Sequence, residues 1–142
     1  MLFDELNKYK RNDHFFFTDK KSLEEVCNAP KDGSGVYLVY ALAHGKIELV
    51  YIGSSGKIQK DGLLKYRKGG LYDRIVNGKQ FDQPRKISWL AKIKEEQMDA
   101  MDIYWFDTFN DDTKDIPAFI EALLIQKHFD LYERLPRWNE EF

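Results

Sequence analysis

The chain has little cysteine, little proline and no long apolar stretch, and each scarcity closes off a class of protein. With one cysteine, Cys27, no intrachain disulfide can form, so the fold must be held by its core rather than by staples. The longest uninterrupted apolar run, Val36 to Ala43, is far shorter than the ~20 residues of a membrane-spanning helix. The opening residues MLFDELNKYK lack the apolar core of a signal peptide, which leads to the expectation of a soluble, cytoplasmic protein with no membrane partner. Four prolines and nine glycines in 142 residues exclude low-complexity and collagen-like chains. No excess of positive charge is visible in the total, since the net charge is -2.

What is present argues for one compact domain. A hydrophobic fraction of 43% with 15% aromatic residues is enough to fill a core at this length, and no repeat or linker divides the chain. The charge is segregated. Between Lys57 and Lys94 lie 11 basic and 3 acidic residues, leaving 11 basic and 21 acidic residues elsewhere. The basic stretch is interleaved with Tyr66, Tyr72, Phe81 and Trp89, a pattern suited to a phosphate-rich partner such as DNA set against acidic flanks.

The pattern of elements reads as a helical lead-in over residues 1–33, followed by the main domain over residues 34–142. Leu2 to Tyr9 and Ser22 to Cys27 read as short helices, with Asp19 or Ser22 as caps, and Phe15-Phe16-Phe17 as an anchor to the core. The Pro30 to Gly35 segment breaks the chain. Two β-rich runs follow, Gly35 to Leu42 and Ile47 to Gly53, and form a hairpin. Register decides which side chains share a face. A three-residue loop, Ala43-His44-Gly45, pairs Leu42 with Lys46 and Tyr37 with Tyr51, whereas a two-residue loop pairs Tyr37 with Ile52 and separates the tyrosines; the three-residue loop is expected. Leu71 to Asn77 reads as a helix stopped by Gly78, Ile87 to Glu96 as a helix after Pro84, and Met101 to Phe109 as a third strand. Ile116 to Phe129 is a strong helix with Asp115 as N-cap and Pro117 in its first turn. The expected fold is α/β in content (α+β), with a small, mainly antiparallel three-stranded sheet flanked by helices.

Glu121 stands out on physical grounds, because it is the only charged residue between Ile116 and Gln126. An ionised carboxylate on such a helix is costly unless something positive faces it, either a basic side chain or a metal ion. No Cys/His cluster points to zinc.

Gly35-Val36-Tyr37 followed by Tyr51-Ile52-Gly53 resembles the signature of the GIY-YIG nucleases, with valine in place of the usual isoleucine. Arg74 in the next helix, Glu121 in a later one and Asn139 in the Leu135-Pro-Arg-Trp-Asn139 segment match further elements in order, so the resemblance spans about Gly33 to Asn139. It implies a metal-dependent endonuclease acting on DNA phosphodiester bonds, with Glu121 as ligand to Mg²⁺ (Mn²⁺ as substitute) and Tyr37, Tyr51, Arg74, Glu121 and Asn139 in the site. Arg74 would offer its planar fork to the scissile phosphate. Either tyrosine would serve as general base, and a free phenol with a pKa of about 10 needs a nearby cation for that, for which Lys57 and Lys60 are candidates. Asn139 would hold the phosphate or Glu121.

The long stretch between Tyr51 and Arg74 resembles that of restriction-enzyme members of the family. It makes Ser54, Ser55, Lys65, Arg67 and Lys68 candidate substrate contacts. One departure stands against the pattern: four residues after Arg74, where many members have His or Tyr, this chain has Gly78, with Tyr72 or Lys79 as nearby substitutes. A module that binds nucleic acid without cutting it is the alternative that Gly78 motivates. Double-strand cleavage would require a homodimer or a second binding event, and specificity would come from loops or a partner protein.

Overall fold

The computed structural model describes residues 3–65 and 68–142, so Arg67, a candidate DNA contact, lies outside the described residues together with Tyr66. The protein is a mixed α+β fold. In chain order it comprises a short 3₁₀ helix (Asp4–Lys8), β1 (Asn12–Phe17), α1 (Leu23–Val26), β2 (Gly35–Ala43), β3 (Lys46–Ser55) and a small hairpin, β4 (Lys57–Ile58) and β5 (Leu64–Lys65). Then come α2 (Gly70–Asn77), a second small hairpin, β6 (Lys79–Gln80) and β7 (Gln83–Pro84), α3 (Arg85–Glu95), β8 (Ala100–Asp107) and α4 (Pro117–Tyr132).

The main sheet has four strands in the order β1-β8-β2-β3, every pair antiparallel. It is covered on both faces. On one, Leu71, Ile75 and Val76 of α2 and Trp89 and Ile93 of α3 pack over Tyr37, Val39, Met101 and Ile103. On the other, Ile120, Leu124 and Ile125 of α4 join Phe3 and Leu6 over Val36, Leu38, Ile52 and Phe106. Burial on both faces explains why β2 reads as a nearly continuous apolar run. No helix among the described residues is long and apolar enough to cross a membrane.

The fourth strand corrects the expected three. Residues Asn12–Phe17 belong to the sheet rather than to a helical lead-in: β1 pairs with β8 from Asn12 opposite Phe106 to Phe17 opposite Met101. Phe15 and Phe17 enter the core while Phe16 is half exposed, the period of two that defines a strand. Three identical residues in a row hide that alternation from a reader of the sequence. Ser22 does cap α1, through a capping box with Glu25. Asp115 does not cap α4, because its carboxylate is taken by the Tyr9 hydroxyl at 2.7 Å and by Lys8 at 2.6 Å.

The hairpin register also differs from expectation, with a consequence for the site. The loop has two residues, His44 and Gly45, both with positive φ (55° and 72°), the signature of a type I′ turn. Ala43 therefore faces Lys46, and continued without interruption this register would set Tyr37 opposite Ile52. A β-bulge intervenes: Tyr40 pairs with Leu49 but Val39 pairs with Tyr51, leaving Val50 as the extra residue. Beyond the bulge Tyr37 faces Gly53, so Tyr37 and Tyr51 lie on the same face of the sheet as diagonal neighbours.

Candidate active site

The tyrosine pair sits where β2 and β3 pass under α2 and α3, with ring centroids 6.1 Å apart and ring planes at 39°. Gly53 makes this possible. A Cβ on Gly53 would lie 2.5 Å from Tyr37 Cζ, 2.6 Å from its hydroxyl and 2.8 Å from Tyr51 Cε2, so only glycine leaves room for both rings. The two tyrosines are not equivalent. Tyr37 is fully buried, whereas Tyr51 is partly open and lines two adjoining hollows, of about 610 Å³ and about 530 Å³.

The larger hollow is lined by Tyr51, Ser54, Ser55, Lys57, Lys65, Arg74 and Glu121. Four elements supply these groups: the end of β3, the β4–β5 hairpin, α2 and α4. The N-terminal amides of α2 are tied to the Pro30–Gly33 loop, from Leu71 to the Gly33 carbonyl at 3.0 Å and from Tyr72 to the Pro30 carbonyl at 3.2 Å. That anchorage fixes the helix from which Arg74 projects.

Electrostatically the hollow is asymmetric, with one carboxylate among several cations. Burial pushes the Glu121 carboxyl above the ordinary range, opposed by a hydrogen bond from Ser54 and by the charge of Arg74. Arg74 has its Nε buried with no partner among the described residues. Tyr51 is pushed up to about 12, first by burial and then by Tyr37, while Arg85 and Arg74 act in the opposite direction. Among the described residues no group of three or more His, Cys, Asp or Glu side chains is placed to hold a metal ion. The donor set here is thus one carboxylate in an open, water-accessible hollow. It fits an ion that keeps most of its hydration shell, as Mg²⁺ does, and does not fit a caged zinc.

Of the residues expected from the sequence, Tyr51, Arg74, Glu121, Ser54, Ser55, Lys57 and Lys65 line this hollow, with Tyr37 directly behind. Lys60 and Lys68 are exposed and do not line it. Asn139 has a different role from the one expected. Its carboxamide accepts from the Ile52 amide and donates to the Ile52 carbonyl, both at 3.0 Å, so it closes the free edge of β3 beside Tyr51 rather than holding Glu121. Of the two substitutes for a side chain at Gly78, Tyr72 is spent on the Glu24 carbonyl at 3.1 Å, and Lys79 lines the smaller hollow.

The residue the sequence reading missed is Arg85, counted there only as one charge in the basic run. It is 2% exposed, and its Nη2 donates to the Tyr37 hydroxyl at 2.9 Å. Among the described residues it is this arginine, rather than Lys57 or Lys60, that donates a hydrogen bond to a tyrosine of the pair and lies over both rings. Two signals pointed to it: the absent side chain at Gly78, and the i,i+4 spacing that puts Arg85 on the inward face of α3 with Trp89.

No family model, curated protein or solved structure matches the chain. What the site can do is therefore read from its own geometry.

Proposed function

We propose that this protein is a metal-dependent endonuclease of the GIY-YIG type that hydrolyses phosphodiester bonds in DNA. The observation that carries this reading is the convergence of Tyr51, Arg74 and Glu121 on one hollow whose remaining charged lining, Lys57 and Lys65, is basic. A hollow with one carboxylate, one guanidinium and a phenol matches what phosphodiester hydrolysis requires: an acceptor for water's proton, a donor to the charged phosphate and a place for a cation.

In this reading the scissile phosphate enters the larger hollow, drawn by Lys57 and Lys65. Arg74 donates its terminal N–H groups to the non-bridging oxygens, where charge accumulates as the phosphorus becomes five-coordinate. Glu121 would hold Mg²⁺ or Mn²⁺, which when bound supplies positive charge to the phosphate and lowers the pKa of water. Tyr51 is the tyrosine that faces the hollow and takes the proton from water, and Tyr37 backs it from inside the core. Ser54 orients the Glu121 carboxylate by the hydrogen bond it gives it. One site cuts one strand, so cleavage of both strands would follow from two binding events or a homodimer.

The test is nicking of supercoiled plasmid in Mg²⁺, in Mn²⁺ and in EDTA, with Glu121→Gln alongside. Nicking that needs metal and is lost in the variant is the expected result. DNA retardation at low salt without nicking by the wild-type protein would instead establish the non-cleaving binding module.

A further inference from the structure

Arg85 opens α3 directly after Pro84, a position where a long basic side chain ordinarily reaches solvent, yet it is 2% exposed. An arginine that deep normally answers a carboxylate. Here its hydrogen-bond acceptors among the described residues are all neutral: the Tyr37 hydroxyl at 2.9 Å from Nη2, the Arg74 carbonyl at 2.9 Å from Nη1 and the Gln80 side-chain oxygen at 3.3 Å from Nε. Its guanidinium carbon lies 5.2, 5.5 and 5.0 Å from the ring centroids of Tyr37, Tyr51 and Trp89, and these ring faces offset part of the cost of burying the charge. Gly78 provides the space. A Cβ there would meet the Arg74 carbonyl oxygen at 2.4 Å, Arg85 Nη1 at 3.0 Å and Arg85 Cζ at 3.3 Å, so the guanidinium lies in part of the space a side chain at position 78 would need.

Resting on the hydrolase reading above, we infer that Arg85 is a positioning residue for that reaction, fastening the Tyr37 hydroxyl and the carbonyl end of the Arg74 helix with one planar fork and supplying the tyrosine pair with a fixed positive charge. Among the described residues the guanidinium donates to no carboxylate, and the reaction provides an anion. Tyr51, the tyrosine open to the hollow, releases its proton to solvent and becomes a phenolate. The phenolate then takes a proton from the attacking water as the water oxygen bonds to phosphorus. The bond from phosphorus to the departing deoxyribose oxygen breaks, and that oxygen leaves with the electron pair and takes a proton from solvent. The charged groups acting on Tyr51 are Arg85 from α3, Glu121 from α4 and Arg74 from α2; burial and then Tyr37 hold its hydroxyl pKa up, Glu121 adds to that, and the two arginines work against it. A lysine at position 85 would keep the charge but lose the fork that reaches Tyr37 and Arg74 together.

The experiment compares wild type, Arg85→Met, Arg85→Lys, Tyr37→Phe and the double variant Arg85→Met/Tyr37→Phe, each shown to be folded by circular dichroism, in nicking kinetics with Mg²⁺. Arg85→Met should lower kcat by about 100-fold, the lower end of what general-base catalysis contributes, and leave KM for DNA unchanged. Arg85→Lys should fall between wild type and Arg85→Met. The double variant should be no slower than Arg85→Met, because the Tyr37 hydroxyl that Tyr37→Phe removes has already lost its Arg85 donor in that variant. Wild-type kcat in Arg85→Met, or losses that multiply in the double variant, would overturn the assignment while the hydrolase reading stands. Should Arg85→Met not fold, Arg85→Lys decides: a reduced kcat at unchanged KM supports the assignment and a wild-type kcat overturns it. A wild-type protein that never nicks overturns the hydrolase reading, and the role of Arg85 falls with it.

Discussion

Replacing Gly53 by alanine tests whether the tyrosine pair is as tightly specified as its geometry implies. The added methyl carbon would begin 2.5 Å from Tyr37 Cζ and 2.8 Å from Tyr51 Cε2, distances at which something must move. Tyr37 has little room to give, being fully buried and held by Arg85 at 2.9 Å. Overpacking of this kind costs ~1–3 kcal/mol, and loosening a hydrogen bond to a buried charged group adds ~1.5 kcal/mol or more, so a total of about 3 kcal/mol is expected. For a domain of this size that is a fall in Tm on the order of 10 °C. Gly45→Ala is the proper comparison, because Gly45 has open space around it and resists a side chain only through its φ of 72°. That conformational penalty is about 1 kcal/mol, or a few degrees. Both variants would be followed by circular dichroism during heating and by urea titration in the same buffer. A Gly53→Ala protein as stable as Gly45→Ala would show that the rings have freedom the structure denies them, and the account of the pair would have to be abandoned.

Glu121→Gln in EDTA should raise stability at neutral pH. Burial holds this carboxyl above its ordinary range, so the folded chain binds the proton more tightly than the unfolded chain; the resulting stabilisation is present in acid and lost as pH rises through the folded-state value. The advantage of the variant should shrink toward acid in urea titrations, and a variant less stable than wild type at neutral pH would refute the sign. Lys57→Ala and Lys65→Ala should each weaken DNA binding and reduce the slope of log K against log salt by about 1, read from filter binding at several salt concentrations, with an unchanged slope removing that lysine from the phosphate path. Asn139→Ala removes two hydrogen bonds to Ile52 and should cost about 1–2 kcal/mol, measured by urea titration; a neutral result would mean that water closes the β3 edge equally well.

Much of the fold was legible because its elements carry local signals. The apolar runs of β2 and β3, the glycine after α2 and the proline opening α4 all lie where the sequence places them. β1 was hidden because a strand is recognised by alternation, and Phe15-Phe16-Phe17 has none to see; its partner β8 lies almost ninety residues away, so its pairing is decided by tertiary contacts. Asp115 illustrates a related difficulty. Its sequence position suits an N-cap, but Tyr9 and Lys8, distant along the chain, take its carboxylate first.

The site was legible in its parts and not in its joining. A single-residue change of register turns a strand over, so a two-residue hairpin loop on its own would have parted Tyr37 from Tyr51. The bulge at Val50 restores the parity, and nothing in Leu49-Val50-Tyr51 announces it, since a bulge is set by how the strand twists against its neighbours. Arg85 was obscured in the opposite way, as one basic residue in a run of them, and only its depth separates it from Lys86 beside it, which is exposed. Both features act on the same pair of rings: the bulge sets Tyr37 and Tyr51 on one face, and the space left by Gly78 admits the cation that holds Tyr37 there. Gly78 was weighed in the sequence as a missing side chain. In the folded protein it is the opening through which a side chain from the next helix reaches the tyrosines.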